Sequence, residues 1–132
     1  MAKDISAIPE ELRRFVLTSI PSVPFLEALL LMRAAPEATW RRDTLARRLY
    51  VRDKTAEGLL ADLCAAGIAV RCGEPGADGY RYAPLDPGLR ERIDRLADLY
   101  ATHLVEVTHL IHASLDRKAH QFADAFKWRK DS

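Results

Sequence analysis

From Pro87 onward the chain contains a single glycine, Gly88, and no further proline. Over the same stretch Leu89, Ile93, Leu96, Tyr100, Leu104, Val107, Ile111 and Leu115 recur every three or four residues, the spacing of one helix face. Asp86 is placed to cap and Pro87 to take the first helical position, so a helix is predicted from Pro87 to Leu115. The same stripe drifts on to Phe122 and Phe126. At 1.5 Å per residue, residues 87–115 alone would span about 43 Å. A compact globule of this length has a radius of gyration of about 14 Å. Such a helix overhangs its own domain, and an overhanging apolar stripe needs a partner. The expected one is a second copy of the chain, a homodimer through the C-terminal helix.

The part before Pro87 reads as shorter elements. Pro9 to Thr18 has Leu12, Phe15 and Val16 at helical spacing, with Ser6 as a cap. Val23 to about Ala34 carries Phe25, Leu26, Leu29, Leu30 and Met32 around most of its circumference, the mark of a buried core helix. Ala38-Thr39-Trp40 is long enough only for a turn or an edge strand. Arg41 to Leu49 follows as a helix with Leu45, Ala46 and Leu49 inward, and Tyr50-Val51-Arg52 is a brief turn. Asp53 is the expected N-cap of a helix to Ala66, with Ala56, Leu59, Leu60 and Leu63 on one face and Gly67 just past its end. Ile68 to Cys72, a glycine-rich turn from Gly73 to Gly79, and Tyr80-Arg81-Tyr82 make a hairpin. The fold class is mainly α with a small β-hairpin. Residues 1–84 form one domain and residues 85–132 a helical dimerisation and tail segment.

Composition narrows the function. Twenty Lys and Arg against nineteen Asp and Glu leave a net charge of +1, so no global basic field points to nucleic acid or acidic lipid. Arg outnumbers Lys fifteen to five and Asn is absent, which suggests a bacterial chain from a GC-rich genome. Cys64 and Cys72 make neither a disulfide framework nor a zinc pattern. Met1 to Arg14 carries Asp4, Glu10 and Glu11 and no apolar run, so a cytoplasmic chain with no secretory signal and no membrane role is expected.

The order helix, short strand, helix, tight turn, helix, hairpin resembles the winged helix-turn-helix of MarR- and PadR-type bacterial transcriptional regulators. The residues that carry the resemblance are Leu45-Ala46-Arg47-Arg48-Leu49-Tyr50-Val51, then Ala56-x-x-Leu59-Leu60-x-x-Leu63-x-x-x-Gly67-Ile68, then Gly79-Tyr80-Arg81-Tyr82. It covers about residues 24 to 84. It implies a DNA-binding transcriptional regulator whose second motif helix enters the major groove of double-stranded DNA. On that reading Arg52, Lys54 and Thr55 approach bases, while Arg41, Arg42, Arg71 and Arg81 hold phosphates. Glu57 can accept from cytosine, Gly58 reads nothing, and no Asn or Gln stands there for adenine. Over residues 41–82 eight basic side chains face six acidic ones, a net of only +2. The alternative is therefore a winged-helix adaptor that binds protein through Glu57 and Asp62 rather than DNA.

Other chemistries find little support. His103, Glu106, His109 and His112 recur every three residues, which drifts about 60° per step, so the four cannot face one ion and no metal site is assigned. Gly73, Gly76 and Gly79 lack the Lys-Ser/Thr continuation of a phosphate loop. No nucleophile signature or carboxylate pair suggests an enzyme, and no cofactor is expected. Lys118 to Lys130 mixes Phe122, Phe126 and Trp128 with basic residues and is read as a continuation of the dimer core with a basic end. A protein partner or small-molecule effector stays open.

Overall fold

The computed structural model describes residues 8–73 and 79–130, and the side chains of 8–73 and 79–118. Among the described residues the chain forms six helices and one hairpin. Their order is α1 (Glu10–Ser19), α2 (Val23–Ala34), α3 (Arg42–Leu49), α4 (Asp53–Ala65), β1 (Ala69–Cys72), β2 (Gly79–Tyr82), α5 (Pro87–Thr102) and α6 (Leu104–Lys130). They divide into two compact units: Val23–Ala97, and the described parts of Met1–Ser22 with Asp98–Ser132. The expected Ser6 cap and the hairpin-turn residues 74–78 lie outside the described residues.

In the unit Val23–Ala97, α2 is the centre. Phe25, Leu26, Ala28, Leu29 and Met32 are buried on it, as expected of a helix apolar nearly all round, and it packs against α3, α4 and β2. Leu45 on α3, Leu60 and Leu63 on α4, Ile68, and Ile93 and Leu96 on α5 complete this core. An ion pair between Arg33 Nε and Asp94 Oδ1, 2.9 Å apart, ties α2 to α5 at the half-exposed rim.

β1 and β2 pair antiparallel, with Ala69 opposite Tyr82 and Cys72 opposite Gly79. Trp40 adds a single bridge to the far edge of β2: its N–H donates to Tyr80 O at 2.7 Å and its carbonyl accepts from Tyr80 N at 2.8 Å. The short segment before α3 is thus a one-residue edge strand.

The helix ends follow their sequence signals with one shift. Asp86 caps α5, its Oδ1 accepting from Gly88 N at 3.2 Å. The C-terminus of α4 closes as a Schellman motif: Gly67 N–H donates to Cys64 O and Ile68 N–H to Leu63 O, with Gly67 at φ 78°. Asp53, expected as the N-cap of α4, is instead its first helical residue, and the cap position belongs to Arg52, which makes no side-chain cap bond. Asp53 still favours the helix there, its charge lying at the positive end of the dipole.

In the other unit α1 packs against α6, burying Leu12, Phe15 and Val16 on one and Val107, Leu110 and Ile111 on the other. The single helix predicted from Pro87 to Leu115 is interrupted at His103, which separates α5 from α6. At the break the Thr102 hydroxyl donates to Leu99 O at 3.2 Å and lies 2.8 Å from His103 Nδ1, while His103 N–H still donates to Leu99 O at 2.7 Å and Val107 N–H to His103 O at 3.0 Å. Beyond the break α6 runs unbroken to Lys130. The side chains of Phe122, Phe126 and Trp128 lie outside those described.

Candidate nucleic-acid interface

The two-helix motif places one surface of α4 outward by simple periodicity. Ala56, Leu59, Leu60 and Leu63 turn inward, so Asp53, Lys54, Thr55, Glu57, Gly58, Ala61 and Asp62 are left exposed. α3 packs against it, with Leu45 and Ala46 buried and Arg41, Arg42, Arg47 and Arg48 in solvent. At the start of α3, Arg41 N–H donates to Thr44 Oγ1, and that hydroxyl donates back to Arg41 O, both at 2.9 Å. The backbone of Arg41 is thereby fixed while its side chain stays outside.

The arginines are not equivalent. Arg42 reaches across to α4 and lies 3.6 Å from Glu57 Oε1, with both side chains about 60% exposed. Arg47 pairs with Asp43 one turn back at 3.4 Å. Arg48 lies over the Trp40 ring at 5.8 Å, and Arg71 over the Tyr80 ring at 5.9 Å. Arg41, Arg52, Lys54 and Arg81 are exposed with no ion-pair partner among the described residues.

Of the residues singled out from sequence, Arg52, Lys54 and Thr55 come together at the first turn of α4, with Arg41 and Arg42 at the first turn of α3. The hairpin arginines separate. Arg71 is opposite Tyr80 and Arg81 opposite Val70, and successive pairs point to opposite faces of the ribbon, so Arg71 and Arg81 occupy different faces. Two features escaped sequence reading. The Arg42–Glu57 pair links two elements and leaves no trace in local spacing. Tyr50, between α3 and α4, is 95% exposed and left-handed at φ 58°, ψ 45°. A turn was legible there, but its handedness was not, because neither glycine nor asparagine marks it.

Cys64 sits near the end of α4. Burial pushes its thiol above the ordinary value, an effect that the charge of Arg71 only partly offsets, so it stays protonated at neutral pH and is a poor nucleophile. On α6 Glu106, His109 and His112 are exposed. Among the described residues no group of three or more His, Cys, Asp and Glu side chains is placed to hold a metal ion. No single helix among them is long and apolar enough to cross a membrane.

Comparison with solved structures bears on the fold. A MepR variant from S. aureus, bound to an oligodeoxyribonucleotide, is similar at a TM-score of 0.53 and 14% identity, over 85% of this chain and 87% of that one. RV1404 from Mycobacterium tuberculosis is similar at 0.52 and 14% identity, over 87% of this chain and 80% of that one. A MarR family transcription regulator gives a looser likeness, at 0.47 and 22% identity over 89% of this chain and 82% of its own. No family model matches the chain, and no curated protein matches it significantly. The architecture is a winged helix-turn-helix: mainly helical, with one antiparallel hairpin.

Proposed function

We propose that this chain is a DNA-binding transcriptional regulator acting through its winged helix as a homodimer. One observation carries the reading. Arg52, Lys54 and Thr55 stand exposed at the first turn of α4, and the two cations have no carboxylate partner among the described residues. In a helix-turn-helix this is the turn that meets base edges in the major groove. Arg41 and Arg42 on the neighbouring helix, with Arg81 on the hairpin, then hold phosphates, which fix register and affinity rather than sequence; Arg71 lies on the other face of the ribbon. Dimerisation through the C-terminal helix is supported by α6 itself. It spans 27 residues, about 40 Å, and leaves Leu104, Val105 and Leu115 between 40% and 58% exposed. Apolar side chains so exposed along one helix fit burial against a second copy.

The test is fluorescence-anisotropy titration of mixed-sequence duplex DNA at about 50 mM and about 200 mM salt. Four to six phosphate contacts require the affinity to fall roughly 100- to 2,000-fold across that interval. No binding at the lower salt refutes the proposal and turns attention to a protein partner for the face carrying Glu57 and Asp62.

A further inference from the structure

Two helix ends in the Val23–Ala97 unit close with the same kind of bond, from an N–H to the carbonyl five residues back. Ile68 N–H donates to Leu63 O at the end of α4, and Val51 N–H donates to Ala46 O at the end of α3, each at 3.0 Å. Both schemes require one residue in the left-handed region. At the end of α4 that residue is Gly67, at φ 78°. At the end of α3 it is Tyr50, the only non-glycine residue with positive φ among those described. A side chain there crowds its own backbone, and glycine or asparagine would fit without that penalty.

The fold offers the tyrosine nothing in return. Its side chain is 95% exposed, so it covers almost no apolar surface of its own chain. Among the described residues its hydroxyl has no hydrogen-bond partner. A strained residue that its surroundings do not use points outward, to a use in binding. Its neighbours say which. Tyr50 lies two residues before Arg52 and four before Lys54, both exposed cations without an ion-pair partner among the described residues.

We infer that Tyr50 is a DNA-backbone contact, its hydroxyl donating a hydrogen bond to a phosphate oxygen beside the groove that α4 enters. The left-handed turn at the end of α3 carries the ring clear of the fold and into that position. The inference rests on the DNA-binding reading and adds a residue to it. Tyrosine is among the side chains that bond phosphate in protein–DNA complexes. Being neutral, it displaces no counterion, so its contribution is independent of salt, unlike that of a phosphate-bound Arg41.

The experiment compares wild type, Tyr50→Phe, Tyr50→Gly and Arg41→Ala, each full length, by DNA titration over a salt series and by thermal melting. Tyr50→Phe weakens binding about 10-fold at every salt concentration, the loss of one bond to a charged acceptor, and leaves the salt slope unchanged. Arg41→Ala, which removes a phosphate contact, reduces that slope by about 0.9. Tyr50→Gly binds at least as weakly as Tyr50→Phe yet melts about 4 °C higher, because glycine relieves the backbone. If wild type binds DNA and both Tyr50 variants bind equally well, the Tyr50 contact is refuted while the DNA reading stands. If wild type does not bind, both fall. A Tyr50→Gly protein that melts below wild type overturns the argument from strain.

Discussion

Tyr82 closes β2 with its side chain turned into the core, and its hydroxyl is enclosed without a hydrogen-bond partner among the described residues. The ring itself is well placed. The Arg90 guanidinium lies over it at 5.7 Å while donating to Pro84 O at 3.0 Å. Removing only the oxygen, as in Tyr82→Phe, keeps the ring and the cation over its face. What disappears is a buried polar group left unsatisfied, which costs about 1–3 kcal/mol. Against this stands the small void left by one atom, so a net gain of about 1 kcal/mol is expected, or roughly 4 °C in melting temperature. A pH arm sharpens the test. Burial pushes the Tyr82 phenol above its ordinary value of 10.0, and the charge of Asp94 pushes it further, with Arg90 and Arg33 partly opposing. The folded state therefore holds the proton that the unfolded state releases first. Stability from the neutral phenol is complete below pH 10.0 and is lost as pH rises through the folded value. Cys64, raised by burial from 9.0, begins the same decline at lower pH in both proteins. Thermal melts at about pH 7 and about pH 10.5 should show the variant ahead at both, with its advantage larger at the higher pH. A variant that melts more than about 2 °C below wild type at neutral pH would show that the hydroxyl is bonded in the folded protein, and the reasoning would fail.

Two glycines offer a contrast that depends on their surroundings. An alanine at Gly67 meets no atom within 4 Å, so Gly67→Ala should cost only the left-handed backbone, about 1 kcal/mol in urea unfolding. At Gly79 the added carbon runs into the Thr39 methyl beside the Trp40–Tyr80 bridge; Gly79→Ala should cost about 2–3 kcal/mol, with most of it recovered in the Gly79→Ala, Thr39→Ala double variant. Leu60 is fully buried on the inner face of α4, and Leu60→Ala should lose about 3–4 kcal/mol. A loss under about 1 kcal/mol would mean that the core collapses around the cavity.

What could be read from sequence was local and periodic. Leu59, Leu60 and Leu63 orient α4, Gly67 ends it, and Asp86 starts α5, because each signal acts within one or two turns of the backbone it controls. What could not be read acts through space or against habit. α1 is adjacent to α2 in sequence but groups with α6, a pairing that hydrophobic spacing alone cannot specify. The break at His103 falls inside a continuous apolar stripe, where no proline or glycine marks it. Arg71 and Arg81 looked like neighbours on one hairpin until the register, Arg71 with Tyr80 and Arg81 with Val70, set them on opposite faces. Tyr50 takes a left-handed position in a turn that neither glycine nor asparagine marks.

The charge on α4 bears on how the proposed regulator would discriminate. Its exposed face carries Asp53, Glu57 and Asp62 against Lys54, around the small residues Gly58, Ala61 and Ala65. Carboxylates near phosphates lower affinity for DNA of every sequence, so general attraction falls to the arginines outside this helix. The Arg42–Glu57 pair is long and well exposed, and such pairs are worth less than about 1 kcal/mol. It exchanges readily. On DNA, Arg42 can move to a phosphate while Glu57 accepts from the amino group of a cytosine, the one base whose major-groove edge offers a lone donor. Opposite thymine or guanine the carboxylate faces carbonyl oxygens and stays unpaired, a mismatch of about 1–3 kcal/mol. Selectivity of this kind comes from the penalty on wrong sequences more than from attraction to the right one.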